Sequence, residues 1–370
     1  MKKTMLKYSC AAVALTAMMS FAPEAKAEIN PIKDNKLFYV TGNVEAGIYK
    51  NQYWNKDNAS LLNNHKSDGQ LNQAYIGVGK KIDTTKSFDV GGRVDYMFGT
   101  DAHWAQSNGF EARDDESKWG SSEYFSAIPQ AYLELGNKDY TIKAGKFFGV
   151  MGGESLIASE RFFYSLSNIY GITPATQTGV MGTYNLNDKM SVYGGWSNGE
   201  NSTFDSSKNN AIFAGAKYAL NSQTDLGLDV MGVKDRKYKP EEENVITKFS
   251  AGYKVNSSLE VKGAFAFLNQ KFKHEGENRA YVYSGEAIYK LNDKLAVGGR
   301  AEYTHSYDNM DKDNMDAYSL TAALNYEPME YVLIKPEVRY DRNGGERIFE
   351  HGTNGKKDQF SAGISAMVKF

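Results

Sequence analysis

From Phe360 to Phe370 the chain alternates, with Met367 the one apolar residue on the polar face. Phe360, Ala362, Ile364, Ala366, Val368 and Phe370 fall on one face, and Ser361, Gly363, Ser365 and Lys369 on the other. The same period of two runs through Phe38, Val40, Gly42, Val44, Ala46 and Ile48, with Tyr39, Thr41, Asn43 and Glu45 opposite. It returns at Phe88, Val90, Gly92, Val94, Tyr96 and Phe98, with Asp89, Arg93 and Asp95 between them. Side chains change face at every residue only in an extended strand, so a helix cannot carry this pattern. Strands of soluble sandwiches usually stop near five or six residues. Ten or so alternating residues suit a strand with one face in hydrocarbon and the other in water. The fold class this predicts is all-β: a transmembrane antiparallel β-barrel.

The connections set the strand count. Short ones read Asp83-Thr84-Thr85-Lys86, Asn137-Lys138-Asp139, Leu186-Asn187-Asp188-Lys189, Asn221-Ser222, Asn256-Ser257-Ser258, Leu291-Asn292-Asp293-Lys294 and Glu327-Pro328-Met329-Glu330. Their Asn, Asp and Ser side chains bond to nearby backbone and favour tight hairpins. Long, polar connections cover roughly 51–70, 99–127, 148–177, 198–210, 234–244, 269–279, 305–316 and 341–357. Seven short turns and eight long loops join about sixteen strands, with both termini on the short-turn side. Short periplasmic turns facing long extracellular loops is the arrangement of outer-membrane barrels.

The N-terminus fits export. Lys2, Lys3 and Lys7 precede an apolar run from Cys10 to Ala22, and Ala25-Lys26-Ala27 offers a small-x-small cleavage pattern. Residues 1–27 read as a signal peptide and 28–370 as a single barrel domain. Cleavage would remove the single cysteine and leave a mature chain with five net negative charges. No stretch reaches the ~18–20 apolar residues of a membrane-spanning helix. The near balance of 43 basic and 45 acidic residues excludes a nucleic-acid partner, since no basic excess exists to neutralise phosphates.

Aromatic residues gather at strand ends. Phe38, Phe88, Tyr140, Tyr184, Tyr218, Tyr253, Tyr289, Tyr326 and Phe370 lie on the turn side, and Phe98, Trp196, Phe267, Tyr303 and Tyr340 on the loop side. Amphipathic rings at both edges of an apolar band mark headgroup depth.

The segment from Ile128 to Trp196 carries ordered motifs. They are Pro129-Gln130-Ala131-Tyr132, Lys143-Ala144-Gly145-Lys146-Phe147, Arg161-Phe162-Phe163-Tyr164-Ser165, Thr178-Gly179-Val180 and Val192-Tyr193-Gly194-Gly195-Trp196, joined later by Pro336-Glu337-Val338-Arg339-Tyr340-Asp341. Together they resemble the β-barrel porin-2 family described as OmpL-like. The resemblance implies an outer-membrane diffusion channel for small hydrophilic solutes or ions and names no solute. The partners expected of such a channel are outer-membrane lipid and lipopolysaccharide, with further copies of the chain in a homotrimer. A plugged surface barrel serving as an adhesin or structural protein is the alternative.

No enzyme constellation accompanies this. The five histidines (65, 103, 274, 305 and 351) fall in expected loops, and no nucleophile or phosphate-cradling motif appears, so neither catalysis nor a cofactor is expected. The acidic stretch Asp308 to Asp316 lacks the glycine turn and terminal Glu of a calcium loop and reads as a solvated surface loop. Loop 148–177 is different. It is rich in glycine and aromatics, with Glu154, Glu160 and Arg161 its only charges, unusually apolar for an exposed loop. As the third long loop it is expected, from its resemblance to sixteen-stranded porins, to fold into the barrel and bury Phe162, Phe163, Tyr164 and Tyr170, with packing on a neighbouring subunit as the alternative. Alternation points ten acidic and seven basic side chains inward, a faint cation preference. The residues expected to line the pore and its constriction are Arg93, Asp95, Glu134, Lys143, Glu154, Glu160, Arg161, Arg300, Glu302, Glu337 and Arg339. Opposed charges among them would set a field across the lumen.

Overall fold

The computed structural model describes residues 36–53, 68–113, 116–121, 123–151, 154–204, 209–235, 242–273, 276–308, 313–344 and 355–370. The expected signal peptide, His65, His274, His351 and residues 309–312 of the acidic stretch lie outside them.

Among the described residues the wall consists of β1 (Phe38–Asn51), β2 (Gln70–Lys80), β3 (Asp89–Gly99), β4 in two pieces (Phe125–Ala127 and Ala131–Gly136) and β5 (Tyr140–Phe148). It continues with β6 (Thr176–Asn187), β7 (Met190–Ser197), β8 (Asn210–Ala219), β9 (Thr224–Asp235), β10 (Glu242–Lys254) and β11 (Leu259–Phe272). The last five are β12 (Gly276–Asn292), β13 (Leu295–Asp308), β14 (Asp313–Met329), β15 (Val332–Asn343) and β16 (Asp358–Lys369). Each strand pairs antiparallel with its neighbours in sequence, and β16 returns to β1 from Asn43↔Lys369 to Asn51↔Ser361. Sixteen strands therefore close on themselves and leave no free edge, which is what hydrocarbon demands of a sheet.

Turn chemistry explains the hairpins. Asn137, Asn187, Asn221, Asn256 and Asn292 each accept, through Oδ1, the backbone N–H two residues on at 2.8–2.9 Å, and Asp83 takes that of Thr85 at 3.0 Å. The seventh turn works differently, with Tyr331 at a left-handed φ of 72°.

The faces follow the alternation. Val94 is 57% exposed while its neighbour Asp95 is fully buried. Val44, Ile364 and Val368 likewise face out, and Asn43, Glu45 and Ser365 face in. Phe88, Tyr140, Tyr184, Tyr289 and Tyr326 form an exposed ring near the short turns. On the loop side Phe265, Tyr283, Tyr303 and Tyr318 continue from strand to strand with centroids 4.8–6.1 Å apart.

Two features depart from expectation. The late strands outrun the apolar band: β12 and β14 are 17 residues long, against eight for β7. The connections expected over 269–279 and 305–316 shrink accordingly. His305 is thus a strand residue, contrary to its expected place in a loop, with Nδ1 2.8 Å from Asp316. Hydropathy stops alternating where both faces become wet, but the backbone ladder continues beyond that point.

Candidate functional site

Above Phe148 the chain leaves the wall, and residues 149–175 hydrogen-bond to side chains that alternation points inward. Its backbone is gripped by buried charges from strands far away in sequence. Glu337 of β15 accepts from Tyr164 N at 2.8 Å and Ser165 N at 3.2 Å, and from the Tyr49 hydroxyl at 3.1 Å. Glu302 of β13 accepts from Asn168 N at 2.7 Å and Ser167 Oγ at 2.6 Å. Lys335 donates to the carbonyls of Ala158 and Arg161 at 2.6 and 3.0 Å. Arg300 donates to the carbonyls of Ser165 and Leu166, lies 4.5 Å over the Phe163 ring and sits 3.1 Å from Glu302. Arg339 reaches Asn168 Oδ1 at 3.0 Å and pairs with Asp341 at 2.9 Å.

The near end is held from β2 and from residues 100–124. Gln73 of β2 donates to Leu156 O and accepts from Ala158 N, and Arg161 pairs with Asp101 at 2.8 Å. Asp101 opens a short helix, α1 (Ala102–Ala105), which packs with Leu156, Ile157, Leu166 and Tyr170 over Tyr75 and Met97. That segment has its own anchor, a buried pair between Glu111 and Lys146 at 2.7 Å.

Apolar contacts complete the seat. Phe162 and Phe163 pack on Ile288 and Ala323, and Ile169 packs on Ala266 and Val282. Phe162, Phe163, Tyr164 and Tyr170 are all buried. Such a loop satisfies its backbone groups through wall side chains, which an apolar loop on the outer surface could not do. Two 3₁₀ turns, Ala158–Glu160 and Asn168–Ile172, let the chain double back; Ser167 caps the second by accepting from Ile169 N.

The expected site residues therefore divide into groups. Arg300, Glu302, Glu337 and Arg339 come together with Arg161 and Glu154, but beneath the loop. Expected to line the pore and its constriction, they face inward but lie buried under the loop; alternation says which wall face a residue occupies, not which part of that face the loop covers. Arg93 and Asp95 pair at 2.7 Å beside Tyr75 and Gln130. Glu134 and Lys143 are cross-strand partners, and the Lys143 ammonium lies 4.3 Å from the Tyr132 ring centre. Glu160 accepts from Ser155 Oγ at 2.6 Å. Glu154 accepts from Ser167 N and faces Arg300 at 3.4 Å. Burial pushes the Glu154 carboxyl up to about 7 against the pull of Arg300.

Beside the loop a cavity of about 230 Å³ remains. Its loop side carries Glu154, Glu160, Arg161 and several apolar residues; its wall side carries Lys217, Asp225, Asp229, Lys248, Lys262 and Glu286. Lys217 is not among the residues expected to line the pore, although Ile212, Ala214, Ala216 and Tyr218 on the other face of β8 locate it. Among the described residues no group of three or more His, Cys, Asp or Glu side chains is placed to hold a metal ion.

A closed sixteen-stranded barrel with an apolar outer band and a charged interior defines a class, the porin-type channels of the bacterial outer membrane. The sequence profile of the family described as "Putative beta-barrel porin-2, OmpL-like" matches residues 38–370, and the chain belongs to that family. The barrel is accordingly an outer-membrane porin. Among solved structures it resembles OmpT of Vibrio cholerae in a trimer form, at TM-score 0.64 and 11% identity over 90% of this chain and 99% of that one. An anion-selective porin from Comamonas acidovorans gives 0.63 and 11% over 90% and 99%, and the outer-membrane channel DcaP of Acinetobacter baumannii 0.62 and 12% over 90% and 97%. No curated protein matches by sequence.

Proposed function

We propose that this porin passes small hydrophilic solutes and ions by passive diffusion, and that residues 149–175 form its constriction. The observation that carries this reading is the seat of the loop. It is fastened to β1, β2 and β11–β15, and the remaining space lies beside it, against β8–β12. Selectivity belongs to the charges on that space, while Arg300, Glu302, Glu337 and Arg339 hold the loop in place. Residues 1–27 direct export. The functional unit is a homotrimer: β5 and β7, at nine and eight residues, are barely long enough to cross hydrocarbon, and a neighbouring copy would cover their exposed Ile142 and Trp196. Lipopolysaccharide contacts the aromatic rows of β11–β14.

Planar-bilayer recording of the purified chain tests this. Discrete conductance steps are expected, with larger steps and a higher size cutoff after deletion of residues 152–159. If the folded barrel passes no current, the plugged surface barrel replaces the channel.

A further inference from the structure

The cavity beside the loop is two-sided in a way that passive water-filled pores do not require. On the loop side Phe148, Val150, Leu156, Tyr170 and Pro174 make an apolar shelf. Across from them the wall offers Lys217, Lys248, Ser250 and Ser284. An apolar shelf facing a wall that carries ammonium and hydroxyl groups suits an organic molecule with an apolar body and one ionised end.

The charges decide its sign. Asp229 is taken by Lys248 at 3.2 Å and by the Tyr193 hydroxyl. Glu154 is held by Ser167 N and Arg300, Glu160 by Ser155, and Glu286 stands 4.0 Å from Arg300. Lys217 differs. Among the described residues no carboxylate lies within 4 Å of it; its ammonium faces the Tyr193 ring at 5.8 Å instead. Gly227 is its cross-strand partner on β9, and Ser250 is in turn the partner of Gly227 on β10. A side chain at 227 would meet Ser250 Oγ at 2.5 Å, so glycine keeps the space between Lys217 and Ser250 open. Asp225, a pair lower toward the turns, and Glu160 on the loop have no ion-pair partner within 4 Å among the described residues; Asp225 would repel an anion moving past the lysine rather than occupy it.

The geometry points to a transit site for small amphipathic organic anions: the carboxylate of the solute meets Lys217 and Ser250 while its apolar body lies on the shelf of Leu156, Tyr170 and Pro174. This rests on the channel reading above and adds a solute class to it. The cation lean in the count of inward charges is a property of the whole wall, whereas this site depends on Lys217, whose ammonium no carboxylate meets within 4 Å among the described residues.

Three probes of similar reach separate the outcomes: benzoate, acetate and benzylammonium. Purified full-length chain in planar bilayers is first recorded in potassium chloride. Absence of any conductance there overturns the channel reading itself. Given conductance, benzoate is expected to interrupt the current with longer dwell times than acetate, and benzylammonium to leave it unchanged. Losing one charge-assisted contact in Lys217→Gln should shorten the benzoate dwell by roughly tenfold or more, and Lys217→Arg should restore it. Tyr170→Ser, in a variant whose potassium chloride conductance shows the loop still seated, should erase the difference between benzoate and acetate. Equal dwell for benzoate and benzylammonium, or a benzoate dwell indifferent to Lys217→Gln, overturns the site.

Discussion

Replacing both Glu302 and Glu337 by alanine should free the loop from the far wall. Three backbone N–H groups, those of Tyr164, Ser165 and Asn168, lose their acceptors together. A buried donor left without a partner costs about 1–3 kcal/mol, so the three together cost roughly 3–9 kcal/mol of docking free energy. Water can reach vacated space in a barrel lumen, which favours the lower end. Arg300 and Arg339 lose Glu302 as well, at 3.1 and 3.7 Å, and two buried cations then face each other with less compensation. Against this, Lys335, Gln73 and the Arg161–Asp101 pair still hold the near end. The loop should therefore swing from its root and not be lost entirely. The strands keep their ladders, so the unboiled protein should still migrate faster than the boiled one on gels. Its bilayer conductance should rise with added open-channel noise, and larger sugars should swell loaded vesicles. A folded double variant with wild-type conductance, noise and size cutoff would refute the assignment of these carboxylates as the loop's sockets.

Three further outcomes are expected. Arg at Val94 should cost about 2–4 kcal/mol of barrel stability in urea unfolding from bilayers, because the side chain would enter hydrocarbon, whereas Arg at Ser284, on the cavity wall, should be nearly neutral. Docking raises the Glu154 carboxyl from 4.5 to about 7, so the docked loop holds a proton the free loop gives up; the benefit is complete below pH 4.5 and fades as pH climbs through about 7. Open-channel noise should then increase between pH 5 and 8 and become flat in Glu154→Gln. Lys146→Met leaves Glu111 buried without its cation, a loss of about 3–5 kcal/mol, and should expose residues 102–126 to added protease on intact cells.

Much of the wall could be read from the chain because a period of two is a local property. Val94 and Asp95 point to opposite sides for the same reason that any adjacent strand residues do, and Asn137 or Asn292 builds its turn from its own side chain. The loop's destination is another matter. Its aromatic run from Phe162 to Tyr164 announces burial, but its sockets on Glu302 and Glu337 lie 134 and 173 residues away, and no local pattern carries that pairing. The reach of the late strands was also hidden. Asn269, Gln270 and Lys271 extend β11 through backbone bonds to β10 and β12 after the side chains have ceased to alternate in polarity.

The loop's construction also explains why the interior can be so charged without being adhesive to ions. A free arginine on a lumen wall would bind a passing anion strongly and slow it, since screening is weak in a narrow low-dielectric tube. Here the strongest cations are committed: Arg300 and Arg339 donate to loop carbonyls, and Arg161 is held by Asp101. The loop thus acts as an internal counter-surface that removes two walls of charge from the transport path. What stays on the path is spaced and weaker, with Lys248 tempered by Asp229 and Lys217 set against a ring face. Undocking the loop would therefore change chemistry as well as bore. It would return Arg300, Lys335 and Arg339 to the lumen together with Glu45, Glu302, Glu337 and Asp341, three cations against four carboxylates, so a loop-deleted channel should lean towards cations even as it loses its size limit. Reversal potentials in a salt gradient measure this directly. A deletion that widens the pore while moving ion preference towards anions would mean that those carboxylates stay neutralised by Arg300, Lys335 and Arg339.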